Sequence, residues 1–189
     1  MSFSGRVILS TLIGLVIAGL VHIIFILYVP HAPQNSAYQR LQALTRNGES
    51  VVLPNTGANS WPRQQDPYVT LSACLLNTRE SAMLVSFPKS NVFQSLSIHD
   101  RQGRVLLSAT DRAATGESLD IVVGTATQIA DFLKKQGERE DTLQELHVIM
   151  EENTGFAVLR TLSPLASTAG LAREAAEKLS CKPLKQGAD

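Results

Sequence analysis

The chain has 189 residues, 17 basic and 17 acidic side chains, no formal net charge and a pI near 6.9. A nucleic-acid binder would show a basic face and an electrostatic tail a run of like charge; neither is present, so no nucleic-acid partner is expected. The mean hydropathy of +0.04 averages a strongly apolar N-terminal segment with an ordinary polar remainder, and the two are read separately.

Val7 through Val29 reads VILSTLIGLVIAGLVHIIFILYV without a formal charge. At about 1.5 Å per residue a helix of that length spans roughly 35 Å, enough to cross a ~30 Å hydrocarbon layer. Only a helix satisfies its backbone there, because lipid offers no hydrogen-bond partner. Tyr28 sits where an interfacial aromatic belongs, and Pro30 and Pro33 stop the helix. The competing reading is a cleaved signal peptide with Arg6 as its positive flank. Signal h-regions run about 7 to 15 residues, and Pro30-His31-Ala32-Pro33 offers no small-x-small cleavage site. The segment therefore reads as an uncleaved anchor, residues 1–30, held in a lipid bilayer through residues 7–29. Arg6 before the helix and Arg40 and Arg46 after it nearly balance, while the short N-terminal flank leans toward staying in the cytoplasm. Ser10, Gly14, Ala18 and His22 recur every four residues and form a face fit for a partner helix. The alternative has His22 reaching toward the interface.

Residues 31–189 are long enough for one domain with a proper core. Asn35 or Ser36 caps a short helix with Tyr38, Leu41 and Leu44 as its apolar stripe, ended by Asn47-Gly48. Gly48 to Pro67 is turn-rich and reads mainly as loop; its Trp61 reads as a plug at the core edge. Strand signals follow at Val69–Leu76, Ala82–Phe87, Val92–His99, Arg104–Ala109 and Leu119–Val123. Asp100-Arg101-Gln102-Gly103 forms a hairpin turn between two of them. Thr125-Ala126-Thr127-Gln128 has the capping-box pattern and opens a helix carrying Ile129, Phe132 and Leu133 on one face, with Lys134, Lys135 and Gly137 at its end. Leu143–Glu151 and Gly155–Leu162 form a further pair of strands around Glu152-Asn153-Thr154. Thr168 to Ser180 reads as a final helix with Leu171, Ala175 and Leu179 inward, a Glu174–Lys178 pair, and Pro183 as its stop. Runs of strands with helices at the ends and one inserted predict an α+β fold with a mostly antiparallel sheet.

No nucleophile elbow, zinc-protease helix, Cys-x-x-Cys or P-loop occurs. His31, His99 and His147 lack metal-ligand spacing. No catalytic residue, metal or cofactor is therefore expected. His147 reads as a satisfied or exposed strand histidine. The best constellation is Ser97-Ile98-His99-Asp100-Arg101, where alternation puts Ser97 and His99 on one face, together with Asp111-Arg112 after the partner strand. Such a group suits an anionic or sugar ligand, or acid–base work if a pocket shifts the histidine. The plainer reading is turn chemistry, with Asp100 capping the turn and Arg101 solvated.

Several strings in order carry a resemblance: Val21-His22-Ile23, Asp66-Pro67 leading to Ala73-Cys74, SLSIHDRQGRVLL with the following Asp111-Arg112, LDIVVGTATQ, GFAVLRTL, and a closing helix ending in Cys181. Together they resemble short, membrane-anchored members of the domain of unknown function 1254 family, over nearly the whole chain. The resemblance implies a bacterial inner-membrane protein with a β-rich domain on the periplasmic side. It further implies a partner bearing the companion domain of unknown function 1214. The family brings no agreed catalytic residues. Longer relatives carry bulky aromatics before the hairpin where this chain has Val92-Phe93-Gln94, so ligand inferences from them do not transfer.

The expected function is that of a non-enzymatic, tethered interaction module; the rival is an envelope enzyme or a glycan- or anion-binding protein using His99–Arg101 and Asp111–Arg112. Cys74 and Cys181 are the chain's two cysteines, both in the part assigned to the periplasm, where disulfides form and persist. A bond between them is expected. The alternative, two separate buried thiols, is the one a cytoplasmic domain would take.

Overall fold

The structure is a computed structural model and describes residues 3–28, 37–54, 66–114, 116–137 and 145–184. It separates into two units, residues 1–34 and 35–189. The expectations for Pro30, Pro33, His31, the Asn35/Ser36 cap and Trp61 lie outside the described residues.

The first unit is one helix, α1 (Phe3–Tyr28), with no buried residue. It is long and apolar enough to cross a membrane, and among the described residues it alone is. Its start at Phe3 extends the expected span by about one turn toward the N-terminus.

The second unit is α+β. Helix α2 (Ala37–Gln42) buries Tyr38 and Leu41, but Leu44 falls beyond its end and is exposed. Five strands, β1 (Ser50–Val52), β2 (Val69–Asn77), β8 (Thr154–Leu162), β4 (Gln94–Asp100) and β5 (Val105–Thr110), lie in that spatial order in one antiparallel sheet. A second sheet has the order β7 (Leu146–Ile149), β6 (Ser118–Gly124), β3 (Met83–Pro88) and β9 (Ser180–Pro183). Within it, β6 and β7 run parallel and the other pairs antiparallel. The parallel pair follows from α3 (Ala126–Gly137), which carries the chain back to the same end between them; parallel neighbours need such a crossover.

The sheets face each other across the main core. Cys74 and Leu76 from β2, Leu96 and Ile98 from β4 and Ala157 and Leu159 from β8 meet Val85 and Phe87 from β3 and Ile121 and Val123 from β6. The outer face of the five-stranded sheet holds a second cluster, where Leu71, Ala73, Leu75, Phe156 and Val158 pack under Tyr38, Leu41 and Leu53. Period-two alternation along β2 and β8 feeds both clusters, so these strands are buried on both faces.

Several expectations are corrected. The stretch read as loop after Gly48 contains β1, because Ser50–Val52 pairs with Ser72–Cys74 and Leu53 is buried. The strands either side of Asn77-Thr78-Arg79-Glu80 go to different sheets. So do the two around Glu152-Asn153-Thr154; the first is strand over Leu146–Ile149 and ends before Met150, while Leu143 and Gln144 lie outside the described residues. The final helix, α4 (Ala169–Glu177), is shorter and buries Ala172, Ala175 and Ala176, while Leu171 faces solvent and Leu179 is buried just past its end. Small side chains let the helix backbone lie close to the sheet, which a leucine at the seat would prevent. Arg173 pairs with Glu177 at 3.1 Å rather than Glu174 with Lys178. Pro183 ends a strand, since β9 begins at Ser180 and pairs Cys181 with Val85.

The capping box forms as expected. Gln128 Oε1 accepts from the Thr125 amide at 2.9 Å and Thr125 Oγ1 from the Gln128 amide at 3.3 Å. Gln128 Nε2 also donates to the Thr78 carbonyl at 2.7 Å, tying α3 to the loop between β2 and β3.

Candidate functional site

The β4–β5 hairpin turns at Gly103, whose φ of 89° is open to glycine and strained for other residues. Asp100 holds this turn. Its Oδ1 accepts from the Arg104 amide at 2.8 Å, and its Oδ2 takes Arg104 Nε at 2.6 Å. Asp100 is buried and both of its carboxylate oxygens are engaged by Arg104, so its role is turn chemistry. Arg101 lies with its guanidinium carbon 5.8 Å from the centroid of the Tyr38 ring.

Ser97 and His99 share the outer face of the sheet, as alternation predicts. His99 Nε2 lies 2.9 Å from Ser97 Oγ, and His99 Nδ1 lies 3.2 Å from the Gly103 carbonyl. A carbonyl only accepts, so in the neutral ring Nδ1 carries the proton and Nε2 accepts from the serine. The imidazole stacks on Phe156, its directly paired neighbour on β8, with centroids 4.8 Å apart and planes 5° from parallel. Arg160, two register positions along β8 from Val158, reaches over and donates to Ser97 Oγ at 3.3 Å. The result is a one-way relay from guanidinium to hydroxyl to imidazole to carbonyl.

Burial holds His99 below the usual imidazole range; the Gly103 bond opposes this, Arg160 reinforces it, and Asp100 opposes it. In the folded chain His99 thus binds a proton less readily than when unfolded. Its contribution to stability is full above the unfolded value of about 6.5 and declines as pH falls below it toward the folded value. Thermal midpoints of the wild type should fall more steeply below pH ~6.5 than those of His99→Gln. Parallel curves would remove this role.

Asp111 and Arg112 do not join this group. Thr110 pairs with Ser95 at one end of the hairpin, whereas His99 pairs with Val105 at the other. Asp111 opens a 3₁₀ turn, Asp111–Ala113, with its Oδ1 buried and unpartnered, and Arg112 is exposed. Sequence reasoning missed Arg160. No local motif marks it; the signal lay in strand pairing, which sets Arg160 opposite Ser95 on one side and Leu71 on the other.

His147 departs from both expected readings: its Nε2 is buried without a hydrogen-bond partner, beside Phe132 at 5.7 Å. Burial, aided by Asp120, raises the affinity of nearby Glu145 for its proton. Among the described residues no group of three or more histidine, cysteine or acidic side chains is placed to hold a metal. In α1, Ser10, Gly14, Ala18 and His22 keep the four-residue spacing; Ser10 Oγ returns to the Val7 carbonyl at 2.9 Å, and open space surrounds the Gly14 Cα.

Cys74 and Cys181 form a disulfide, with Cα atoms 6.5 Å apart across 107 residues of sequence. It joins β2 of one sheet to β9 at the edge of the other, and both residues are buried.

On the outermost strands, Val105 and Leu106 of β5 and Leu146 and Ile149 of β7 expose apolar side chains. Strands β5 and β7 are neighbours across the two sheets.

No family model and no curated protein matches the chain. The crystal structure of the VPA0106 protein from Vibrio parahaemolyticus is similar, with 11% identity over 79% of this chain and 35% of that one, at a TM-score of 0.54. A putative uncharacterized protein from Burkholderia cenocepacia matches at 13% identity over 80% of this chain and 41% of its own, with a TM-score of 0.46. The likeness to the Vibrio protein is one of fold, and the chain spans about a third of that protein's length.

Proposed function

We propose that this chain is an inner-membrane-anchored periplasmic module, without enzymatic activity of its own, that works by binding a second envelope protein. The observation that carries the reading is the apolar edge of Val105, Leu106, Leu146 and Ile149 on two strands that end their sheets. Exposed edge strands and clustered apolar side chains are ordinarily covered or charged in a protein that works alone. The polar groups of the rival enzyme reading, in contrast, are split between opposite ends of the hairpin. The fold corresponds to about a third of the Vibrio protein, so in that protein it stands beside further chain, an arrangement that suits a module with a partner. The resemblance to the domain of unknown function 1254 family names that partner as a protein bearing the companion domain of unknown function 1214.

Placement in the periplasm is supported by the membrane-length α1 ahead of the domain and by the disulfide, a bond that persists in oxidising compartments. The Ser10–Gly14–Ala18–His22 face gives the partner's anchor a surface to meet.

The test is co-purification of the intact chain from membranes with a protein bearing the companion domain. Val105→Asp together with Ile149→Asp should reduce recovery at least tenfold while leaving the thermal midpoint of the domain within a few degrees. Gly14→Leu with Ala18→Leu should weaken it further. Undiminished recovery in the edge variant, or no recovery in the wild type, dismisses the reading.

A further inference from the structure

We infer that Arg160, Ser97 and His99 form a binding site for a small oxyanion, of the phosphate or carboxylate class, on the outer face of the five-stranded sheet. The inference is independent of the partner-binding role, since the edge residues of β5 and β7 take no part in it.

The relay described above fixes the site. Ser97 is buried; its hydroxyl lies 2.9 Å from His99 Nε2, with the Val158 carbonyl at 3.4 Å as a longer alternative acceptor, and its oxygen accepts from Arg160. That bond holds one arm of the guanidinium against the sheet. Arg160 itself is exposed, and neither ion pair among the described residues involves it; those belong to Arg104 and Arg173. Guanidinium groups are planar forks that recognise carboxylate and phosphate in bidentate fashion. A guanidinium held in place, and without an ion-pair partner among the described residues, is poised for such a ligand.

The charged groups around the imidazole agree. Arg160 approaches from β8, and Asp100, the carboxylate on His99's own strand, is occupied by Arg104. Arg101 follows on the same hairpin and adds a second guanidinium, above Tyr38 of α2. Among the described residues, the charges that act on the imidazole are thus one free guanidinium and one carboxylate already bound by Arg104. The site is also out of character with the rest of the sheet's outer surface, where Leu71, Ala73, Leu75, Phe156 and Val158 form an apolar layer. Setting a hydrogen-bonded arginine–serine–histidine chain into that layer costs desolvation that aliphatic residues would avoid.

An anion against Arg160 also acts on His99. It offsets the guanidinium charge that disfavours protonation, so binding and protonation promote each other, and reciprocity requires that affinity rise as pH falls through the His99 titration.

The test uses the full chain in non-ionic maltoside micelles, with the His99 ring proton followed by NMR and assigned through His99→Gln. Inorganic phosphate and acetate are titrated separately. Saturable shifts of the His99 signal with either anion, and an upward move of its titration midpoint, are expected. An effect of phosphate alone assigns the phosphoryl class, and of acetate alone the carboxylate class. Arg160→Gln should weaken binding about tenfold or more, and Arg160→Lys, which keeps the charge but loses the fork, should fall between. Absence of saturation with both anions overturns the site, as does unchanged binding in Arg160→Gln, an exposed substitution compatible with folding.

Discussion

Replacing Cys74 and Cys181 together with alanine should destabilise the domain by about 2 to 5 kcal/mol, with the upper end set by loop-closure entropy for a loop of this size. The bond closes a loop of 107 residues and both half-cystines are buried, so the folded domain shields it from reductant. Loss of stability should therefore appear under denaturing titration with reductant present, or directly in the double variant without it. Denatured, unreduced protein should offer no thiol for alkylation and two after reduction. Two freely alkylated cysteines in unreduced protein would remove the bond and undercut the periplasmic placement with it. A double variant as stable as the wild type would leave the bond without a role in stability.

Gly155→Ala should cost about 3 kcal/mol, as overpacking against an unyielding neighbour does. An added Cβ would run into the backbone carbonyl of His99 and approach the Met150 Cε to 2.8 Å. The methionine tip can swing away, whereas the carbonyl belongs to β4, whose residue Asp100 pairs with Gly155. Relief would push β4 from β8 beside the His99–Phe156 stack. Gly116→Ala is the control, because nothing lies within 4 Å of its added carbon. Chemical denaturation should separate the two variants clearly; equal midpoints would mean that the strands part without cost.

What was legible in the sequence was local. The apolar run that became α1, the Asp100–Gly103 turn, the Thr125–Gln128 box and the alternation placing Ser97 beside His99 each depend on residues within one or two turns of chain. Sheet membership was not legible, because period-two burial says that a strand has two faces, not which strand it pairs with. That is why Met83–Pro88 and Leu146–Ile149 were expected beside their sequence neighbours and lie in the other sheet. Ser180–Pro183 was read as a helix end because a proline after an amphipathic run usually marks one, but pairing with β3 overrode it. The four-residue spacing of Leu171, Ala175 and Leu179 points to one inward face, but the buried face of α4 is made by Ala172, Ala175 and Ala176, and Leu171 is exposed. Arg160 entered the candidate site by register, which no window of sequence contains.

The disulfide also settles how the domain would carry a mechanical load. A pull transmitted through α1 enters at the N-terminal side of the domain and passes along β1 and β2 as far as Cys74. There the covalent link offers a direct route to Cys181 near the described C-terminal end. Tension between α1 and the C-terminal segment would bypass everything from residue 75 to residue 180, including both hairpin strands and the His99 relay. Extension in a single-molecule stretching measurement should stop short by the contour of that segment, about 3.5 Å for each of its residues. Adding reductant should release the missing length in one step.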